Sequence, residues 1–354
     1  MERSKVYFTD FRTGLGTPLT VKLQKLIKLA GISSIDMNGK FVAIKMHFGE
    51  LGNLAYLRPN YAKAVADVIK ENGGLPFLTD CNTLYPGSRK NALEHMDCAN
   101  INGFNTVTTG CQIIIADGLR GTDDIIVPVP NGEYCKEAYI GRAVMDADIF
   151  VSLTHFKGHE AAGFGGTIKN IGMGCGSRAG KMQQHQSGHP HVITDICRGC
   201  RRCSKECGSD AIRYDNNKAW IDPGKCKGCG RCIGACAFDA IENDNWARSE
   251  EIKFRNLNIF QLYRLFINKP CIGKIDIESA NLIEKLFKNI LETHDILVFT
   301  NNIIGQQFCL EQKVARIKAE TLGAMLVGSI QHIIIEIALP YNDGTRRTRI
   351  RRSP

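Results

Sequence analysis

The chain lacks the long apolar runs that mark membrane-spanning and secreted proteins. Its first ten residues, MERSKVYFTD, are charged and contain no apolar core of the kind that a signal peptide needs. The most apolar stretch, residues 322–339, is interrupted by Gln331, His332 and Glu336, which makes it a poor membrane-spanning helix. We therefore predict a cytoplasmic protein with no membrane span, in which the 15 cysteines do not form a disulfide framework.

Two common nucleotide-binding signatures are also missing. No glycine triplet has the spacing G-x-G-x-x-G, and residues 176–181 have one residue too few between their glycines for a P-loop. Met182 stands where a P-loop needs Ser or Thr. Nucleotide binding is therefore unsupported.

The chain carries a formal net charge of +9, and five arginines fall within its last ten residues. A basic tail can bind nucleic acid or an acidic membrane, but a solvated chain end is the commoner case. We predict no nucleic-acid partner.

The first half of the chain alternates between short apolar runs and helical patterns. Strands are predicted at residues 6–9, 41–47, 75–80, 112–117 and 148–155. Helices are predicted between them, for example at residues 20–30 and 58–71. This alternation predicts an α/β domain over residues 1–191, with a doubly wound, mostly parallel sheet.

Each of these apolar runs ends in a polar residue. In parallel sheets, ligands bind at the carboxyl ends of the strands. The residues at these positions are Asp10, His47, Asp80, Asp117 and His155. They suggest one polar cleft, although strands also end at polar residues simply because they reach water.

Residues 192–245 contain an internal repeat. CRGCRRCSKECGSDAI from Cys197 matches CKGCGRCIGACAFDAI from Cys226, at an offset of 29 residues. Each half has the spacing C-x2-C-x2-C-x3-C, in which three cysteines share a tight loop and the fourth lies farther along. A [4Fe-4S] cluster has four iron atoms, and each needs a thiolate ligand. A loop with three cysteines therefore needs a fourth cysteine from elsewhere in the chain.

In the doubled arrangement, the remote cysteine of each half completes the cluster of the other half. The two predicted ligand sets are Cys197, Cys200, Cys203 and Cys236 for the first cluster, and Cys226, Cys229, Cys232 and Cys207 for the second. Zinc is the rival ligand, but zinc sites use separated C-x2-C pairs and do not need a third cysteine three residues on.

The repeat resembles bacterial-type two-cluster ferredoxins over about fifty residues. The proline that usually follows the fourth cysteine is replaced by Gly208 and Ala237. The resemblance implies a small α+β ferredoxin-like domain over residues 192–245 and a soluble protein as electron donor or acceptor.

The segment before the repeat is rich in glycine, histidine and lysine. Gly163, Gly165 and Gly166 precede a predicted helix, where their backbone N–H groups could bind an anionic ligand. His155 and His159 could hold an additional divalent metal or could be hydrogen-bonded scaffolding, because Gly158 makes a helix there doubtful.

Residues 4–245 resemble the domain of unknown function 362 family, in the subgroup that carries an inserted ferredoxin module. The motifs that carry the resemblance are HFGE from His47, TDCNTLY from Thr79 followed by GSR, IIIADGL from Ile113, HFKGHE from His155, GFGGTIKNIGMGC from Gly163, and the cysteines. The family implies a fold and a cofactor more than a reaction. Its members continue into a closing α/β stretch, which is not recognisable in residues 246–354. That region is predicted to be mainly helical, with an amphipathic helix at residues 277–291 and a strand at residues 296–300.

A more distant resemblance is to the lactate racemase family. The order His159, Gly-Gly, Lys169, His185 is similar to that of its acid/base histidine, the lysine that carries a nickel-pincer cofactor, and a nickel-ligating histidine. By analogy, His159 and Lys169 are candidate catalytic residues, and His185 is a candidate metal ligand, although it could equally lie in an exposed loop.

The sequence thus favours an iron–sulfur redox protein whose α/β domain presents a cleft to a small molecule or metal. The predicted lining comprises His47, Asp80, His155, His159, Lys169 and His185. The alternatives are a plain ferredoxin-like electron carrier and a racemase-like metal enzyme with structural clusters.

Overall fold

The computed structural model describes residues 6–129, 135–159, 163–185, 189–243, 296–300 and 332–337. In these ranges, eight strands form the main sheet: β1 Val6–Asp10, β2 Phe41–Lys45, β3 Leu75–Asp80, β4 Gln112–Ile115, β7 Ile149–His159, β8 Gly163–Gly165, β13 Ile296–Thr300 and β14 His332–Ile337. The other strands are β5 Asp124–Pro128, β6 Glu137–Gly141, β9 Pro190–Val192, β10 Ile212–Asp215, β11 Lys218–Ile221 and β12 Ile241–Asn243.

The main sheet has the strand order β1-β13-β14-β7-β2-β3-β4, with β8 paired to β7 outside this path. The four strands β7, β2, β3 and β4 are parallel to one another. β14 is antiparallel to β7 and parallel to β13, and β1 is antiparallel to β13. The predicted mostly parallel α/β sheet is confirmed for these four strands.

The described helices are α1 Leu19–Leu29, α2 Pro59–Glu71, α3 Ala92–Ile101, α4 Thr106–Thr109, α5 Arg142–Asp146, α6 Thr167–Gly172, α7 Arg178–Gln184, α8 Arg202–Lys205 and α9 Arg231–Ala235. Helix α2 shows why they begin and end where they do. Pro59 occupies its first turn, where no N–H is needed, and Gly73 follows its end with a φ of 80°.

Both faces of the sheet are covered. Val42 and Ile44 of β2 pack with α1 and α2 in one apolar cluster. Ala43 points the other way and packs in a second cluster with Phe77, Phe150 and residues of the β5–β6 hairpin. Burial on both faces explains why the central strands are continuous apolar runs.

Residues 190–243, which we call the cysteine repeat unit, fold with the internal symmetry of their sequence. β9 pairs with β12, and β10 pairs with β11, all antiparallel. Val192 pairs with Ile241. The residues at the equivalent positions of the other half, Ile221 and Ile212, pair with each other in the same way. The strand before each cysteine motif therefore pairs with the strand after the other motif.

The structure corrects several predicted boundaries. β2 ends at Lys45 and β4 at Ile115, so His47 and Asp117 lie in the loops that follow. β7 continues through Gly158 to His159, because β8 pairs with its last three residues. Gly163 and Gly165 therefore lie in a strand, and Gly166 directly precedes α6.

The region 246–354 contributes two strands to the main sheet. β13 was predicted as a strand and is confirmed, whereas β14 supplies sheet structure that was not recognised in the sequence. The predicted helix at residues 277–291 and the basic tail lie outside the described residues. Within the described ranges, no helix is long and apolar enough to cross a membrane.

Candidate functional site

A cleft of about 580 Å³ opens at the carboxyl ends of β2 and β3, beside Thr154 and His155 in the middle of β7 and next to α6 and α7. Five of the six residues predicted to line a cleft do so: His47, Asp80, His155, Lys169 and His185. The side chain of His159 lies outside the described part of the structure. Gly166 also lines the cleft, ahead of the first turn of α6.

Two of the predicted strand-end residues, Asp10 and Asp117, do not line the cleft. Asp10 pairs with Lys22 at 2.7 Å, away from the cleft. Asp117 is fully buried and accepts hydrogen bonds of 2.9 Å from both the backbone N–H and the side-chain amide of Asn82. Burial raises the pKa of Asp117 to about 6, against the opposing effect of Lys181. Asp117 therefore holds the loop after β3.

Buried ion pairs form the floor of the cleft. Lys45 Nζ lies 3.0 Å from Asp80 Oδ1 and donates to Asn170 Oδ1 at 2.9 Å. Arg89 lies 3.5 Å from Asp80 and donates through Nε to Glu50 at 3.0 Å. Burial alone would raise the pKa of Asp80, but the positive charges of Lys45 and Arg89 hold this pKa well below its ordinary value. Asp80 is thus a permanent carboxylate that orients cations.

The side chain of His47 is exposed to the cleft, and the other residues that line the cleft lie close around it. Desolvation by these residues, followed by the positive charge of Arg89, lowers the pKa of His47 well below its usual value. Its Nδ1 accepts a hydrogen bond of 2.9 Å from the Gly49 N–H. A neutral imidazole that accepts at Nδ1 carries its proton on Nε2, so His47 can donate a hydrogen bond to a ligand.

Sequence reasoning missed much of the polar lining. Glu50 and Arg89 belong to the HFGE and GSR motifs, but neither had been given a role. Lys45, at the end of the buried strand FVAIK, did carry a usable signal, because a lysine in an apolar strand needs a charged or hydrogen-bonded partner. The other missed residues of the lining that carry a cation or a hydroxyl are Lys181, Tyr56, Thr83, Tyr85 and Thr154.

The four cysteines predicted to hold the first cluster meet in the repeat unit. Cys197, Cys200, Cys203 and Cys236 line one small cavity, together with Tyr214 and neighbouring residues. Burial raises the pKa of the Cys203 thiol. Hydrogen bonds from the Tyr214 hydroxyl and the Ser204 backbone oppose this rise, and the charges of Cys236 and Cys200 add to it. The structure thus brings the remote cysteine of the second half to the three of the first.

Three cysteines of the second set, Cys207, Cys226 and Cys232, belong to one apolar cluster. Burial raises the pKa of Cys232, and the charges of Cys229, Cys226, Cys203 and Cys207 raise it further. Cys207, the remote cysteine of the first half, thus packs in the same apolar cluster as two cysteines of the second half. Both predicted sets bring together residues from both halves of the repeat.

Backbone N–H groups point at several of these sulfurs. The N–H of Ala211 lies 3.3 Å from Cys207 Sγ, and the N–H of Ala240 lies 3.3 Å from Cys236 Sγ, at equivalent positions of the repeat. Such donors stabilise thiolates that ligate a cluster. Among the described residues, no three Cys, His, Asp or Glu side chains converge as ligands of one ion. Four thiols around one cavity, with a backbone N–H directed at Cys236 Sγ, match in number and kind the ligands that a [4Fe-4S] cluster needs.

Comparison with known proteins adds a family to this geometry. The sequence matches the family described as domain of unknown function (DUF362) over residues 42–329. The chain belongs to this family. The DUF362 match runs from β2 through the cleft residues and the cysteine repeat unit. No curated protein matches the sequence.

Among solved structures, the lactate racemase apoprotein from Thermoanaerobacterium thermosaccharolyticum is similar to this DUF362 protein at 14% sequence identity and a TM-score of 0.31. The likeness covers 65% of this chain and 49% of the racemase, so the chain spans about half the length of that protein.

Proposed function

We propose that this DUF362 protein is an iron–sulfur electron-transfer protein. In this proposal, the cysteine repeat unit is a two-cluster ferredoxin-like module that exchanges electrons with a soluble partner protein and serves the cleft of the α/β domain. The observation that carries the proposal is that Cys236 lines one cavity with the three cysteines of the first loop. The packing of Cys207 in one apolar cluster with Cys226 and Cys232 supports it. Bound [4Fe-4S] clusters supply single-electron transfer.

The residues of the chain have separate tasks in this proposal. The eight cysteines hold the clusters, and the N–H groups of Ala211 and Ala240 stabilise their sulfurs. In the cleft, His47 donates to a small ligand, while Lys45 and Arg89 are fixed by Asp80 and Glu50.

Serine variants test the crossed ligand sets. Cys207→Ser is expected to remove the same electron paramagnetic resonance signal as Cys229→Ser, and Cys236→Ser the same signal as Cys200→Ser. Cys111→Ser is the matched control, since Cys111 is buried beside Thr109 away from the repeat unit and should leave both signals intact. Loss of one common signal in Cys207→Ser and Cys200→Ser would contradict the arrangement.

A second candidate is a racemase-like metal enzyme, which the presence of Lys169 and His185 in one cleft favours. In that candidate, Lys169 carries a nickel-pincer cofactor, His159 transfers protons, and His185 or His155 ligates the metal. Metal analysis separates the candidates. Stoichiometric nickel that is lost in His185→Ala supports the racemase-like enzyme, whereas iron without a further metal supports an electron-transfer protein.

A further inference from the structure

Helix α7 forms a wall between the cleft and the cysteine repeat unit. Lys181 lines the cleft, as does His185 directly after the helix. Met182 packs instead in the apolar cluster that contains the cysteines. Leu84 belongs to that apolar cluster and also lines the cleft. Only a thin layer of side chains therefore separates the two sites here.

Arg178, the first residue of α7, reaches the second half of the repeat. Its side chain is fully buried and donates to the backbone oxygens of Thr83, at 2.9 Å, and Lys90. A β-carbon at Gly230 would lie 3.0 Å from Arg178 Cγ, and one at Gly234 would lie 2.7 Å from Arg178 Cζ. The guanidinium therefore lies directly against the loop that carries Cys226, Cys229 and Cys232.

The two halves of the repeat differ at these contact positions. Gly230 and Gly234 correspond, at the offset of 29 residues, to Arg201 and Lys205 in the first half. Arg201 and Lys205 are both exposed. Glycine is thus found in the half that must accommodate Arg178, and long cations are found in the half that faces water.

The one exposed cysteine of the described repeat unit also lies in the first half. Cys200 is exposed, whereas the equivalent Cys229 is partly buried. Arg198 and Arg202 are exposed beside Cys200. A protein partner with an acidic surface fits this face by charge.

We propose, on the basis of the function proposed above, that Arg178 is a positioning residue that seats the cluster of Cys226, Cys229, Cys232 and Cys207 beside the cleft. Its buried positive charge favours the reduced, more negative form of that cluster and so raises its reduction potential. The cluster of Cys197, Cys200, Cys203 and Cys236 is then the outer one, which meets the partner protein.

The unmodified protein gives the first test. Soluble dysprosium–EDTA, added to the reduced protein, enhances the relaxation of paramagnetic centres near the surface. We expect the signal that Cys200→Ser removes to be affected strongly and the signal that Cys229→Ser removes to be affected weakly. Equal effects, or the reverse order, would overturn the assignment of the inner cluster.

Redox titration of variants gives the second test. Arg178→Gln is expected to lower the potential of the inner cluster and leave the outer one unchanged, and Arg178→Lys to lower it less. Arg201→Gln is the control and should leave the inner potential in place. If Arg178→Gln does not fold, Gly234→Ala should lower the same potential by displacing the guanidinium.

A shift of neither potential, or of the outer one alone, overturns the role of Arg178. That outcome is distinct from failure of the proposed function, in which the unmodified protein would contain no clusters at all.

Discussion

At the scale of single residues, the cleft depends on charges that are removed from water in pairs. Lys45 and Asp80 are 1% and 5% exposed, and each would be costly to bury alone. Such a pair contributes little net stability compared with apolar residues, but loss of one partner leaves an uncompensated charge. The pair therefore acts chiefly to fix the positions of polar groups around the ligand site.

Lys45→Met is expected to lower the free energy of unfolding by about 3–5 kcal/mol, because it leaves Asp80 buried with less positive charge nearby. Urea unfolding under anaerobic conditions measures the change. Lys63→Met is the matched control, since Lys63 forms an exposed ion pair with Asp67 at 2.8 Å. The control should change stability by less than about 1 kcal/mol. Equal effects in the two variants would contradict a buried pair.

His95 predicts a dependence of stability on pH. Burial, opposed by Asp80, lowers the pKa of His95 to about 3, whereas its ordinary value is 6.5. Below pH 6.5 the unfolded chain therefore binds a proton that the folded chain does not, and stability falls as the pH falls from 6.5 toward 3.

His95→Gln removes this contribution. Between pH 7.5 and pH 5.0, the variant should lose about 2 kcal/mol less of its unfolding free energy than the unmodified protein. His191→Gln is the control, because His191 is exposed beside Glu242. If the loss in His95→Gln equals that in the unmodified protein, His95 is protonated in the folded state.

At the scale of elements, local sequence signals set where helices begin. Asn91 precedes α3, and its side-chain oxygen accepts a hydrogen bond of 3.0 Å from the Glu94 N–H. This cap satisfies one of the N–H groups that the first turn leaves without an intrahelical partner.

Asn91→Ala is expected to lower the unfolding free energy by ~1 kcal/mol, read from the urea midpoint. Asn100→Ala, at an exposed position of the same helix, changes the same side chain without removing a cap and should not destabilise. Equal unfolding free energies of Asn91→Ala and Asn100→Ala would contradict a stabilising cap at Asn91.

The strands of the parallel sheet could be predicted because each is a buried apolar run bounded by polar residues. β8 and β14 could not, since their pairing with β7 depends on partners that only the folded chain brings together. The cleft was predicted from polar strand ends. Arg89 was not, because its two carboxylate partners, Asp80 and Glu50, come from separate loops and strands.

At the scale of the whole molecule, α7 joins the cleft to the cysteine repeat unit. Lys90 also pairs with Asp239, and Arg120 with Glu206, across the same boundary. Residues of both halves of the repeat unit therefore pair with the α/β domain, and Arg178 lies against Gly230 and Gly234 of the second half. The function that we propose, an electron relay to the cleft, needs this contact between the repeat unit and the α/β domain.

The content of iron and acid-labile sulfide in anaerobically purified protein tests the central claim most directly. Two [4Fe-4S] clusters predict about eight iron atoms and about eight sulfides per chain. Absence of acid-labile sulfide, or stoichiometric zinc in place of iron, would contradict the account.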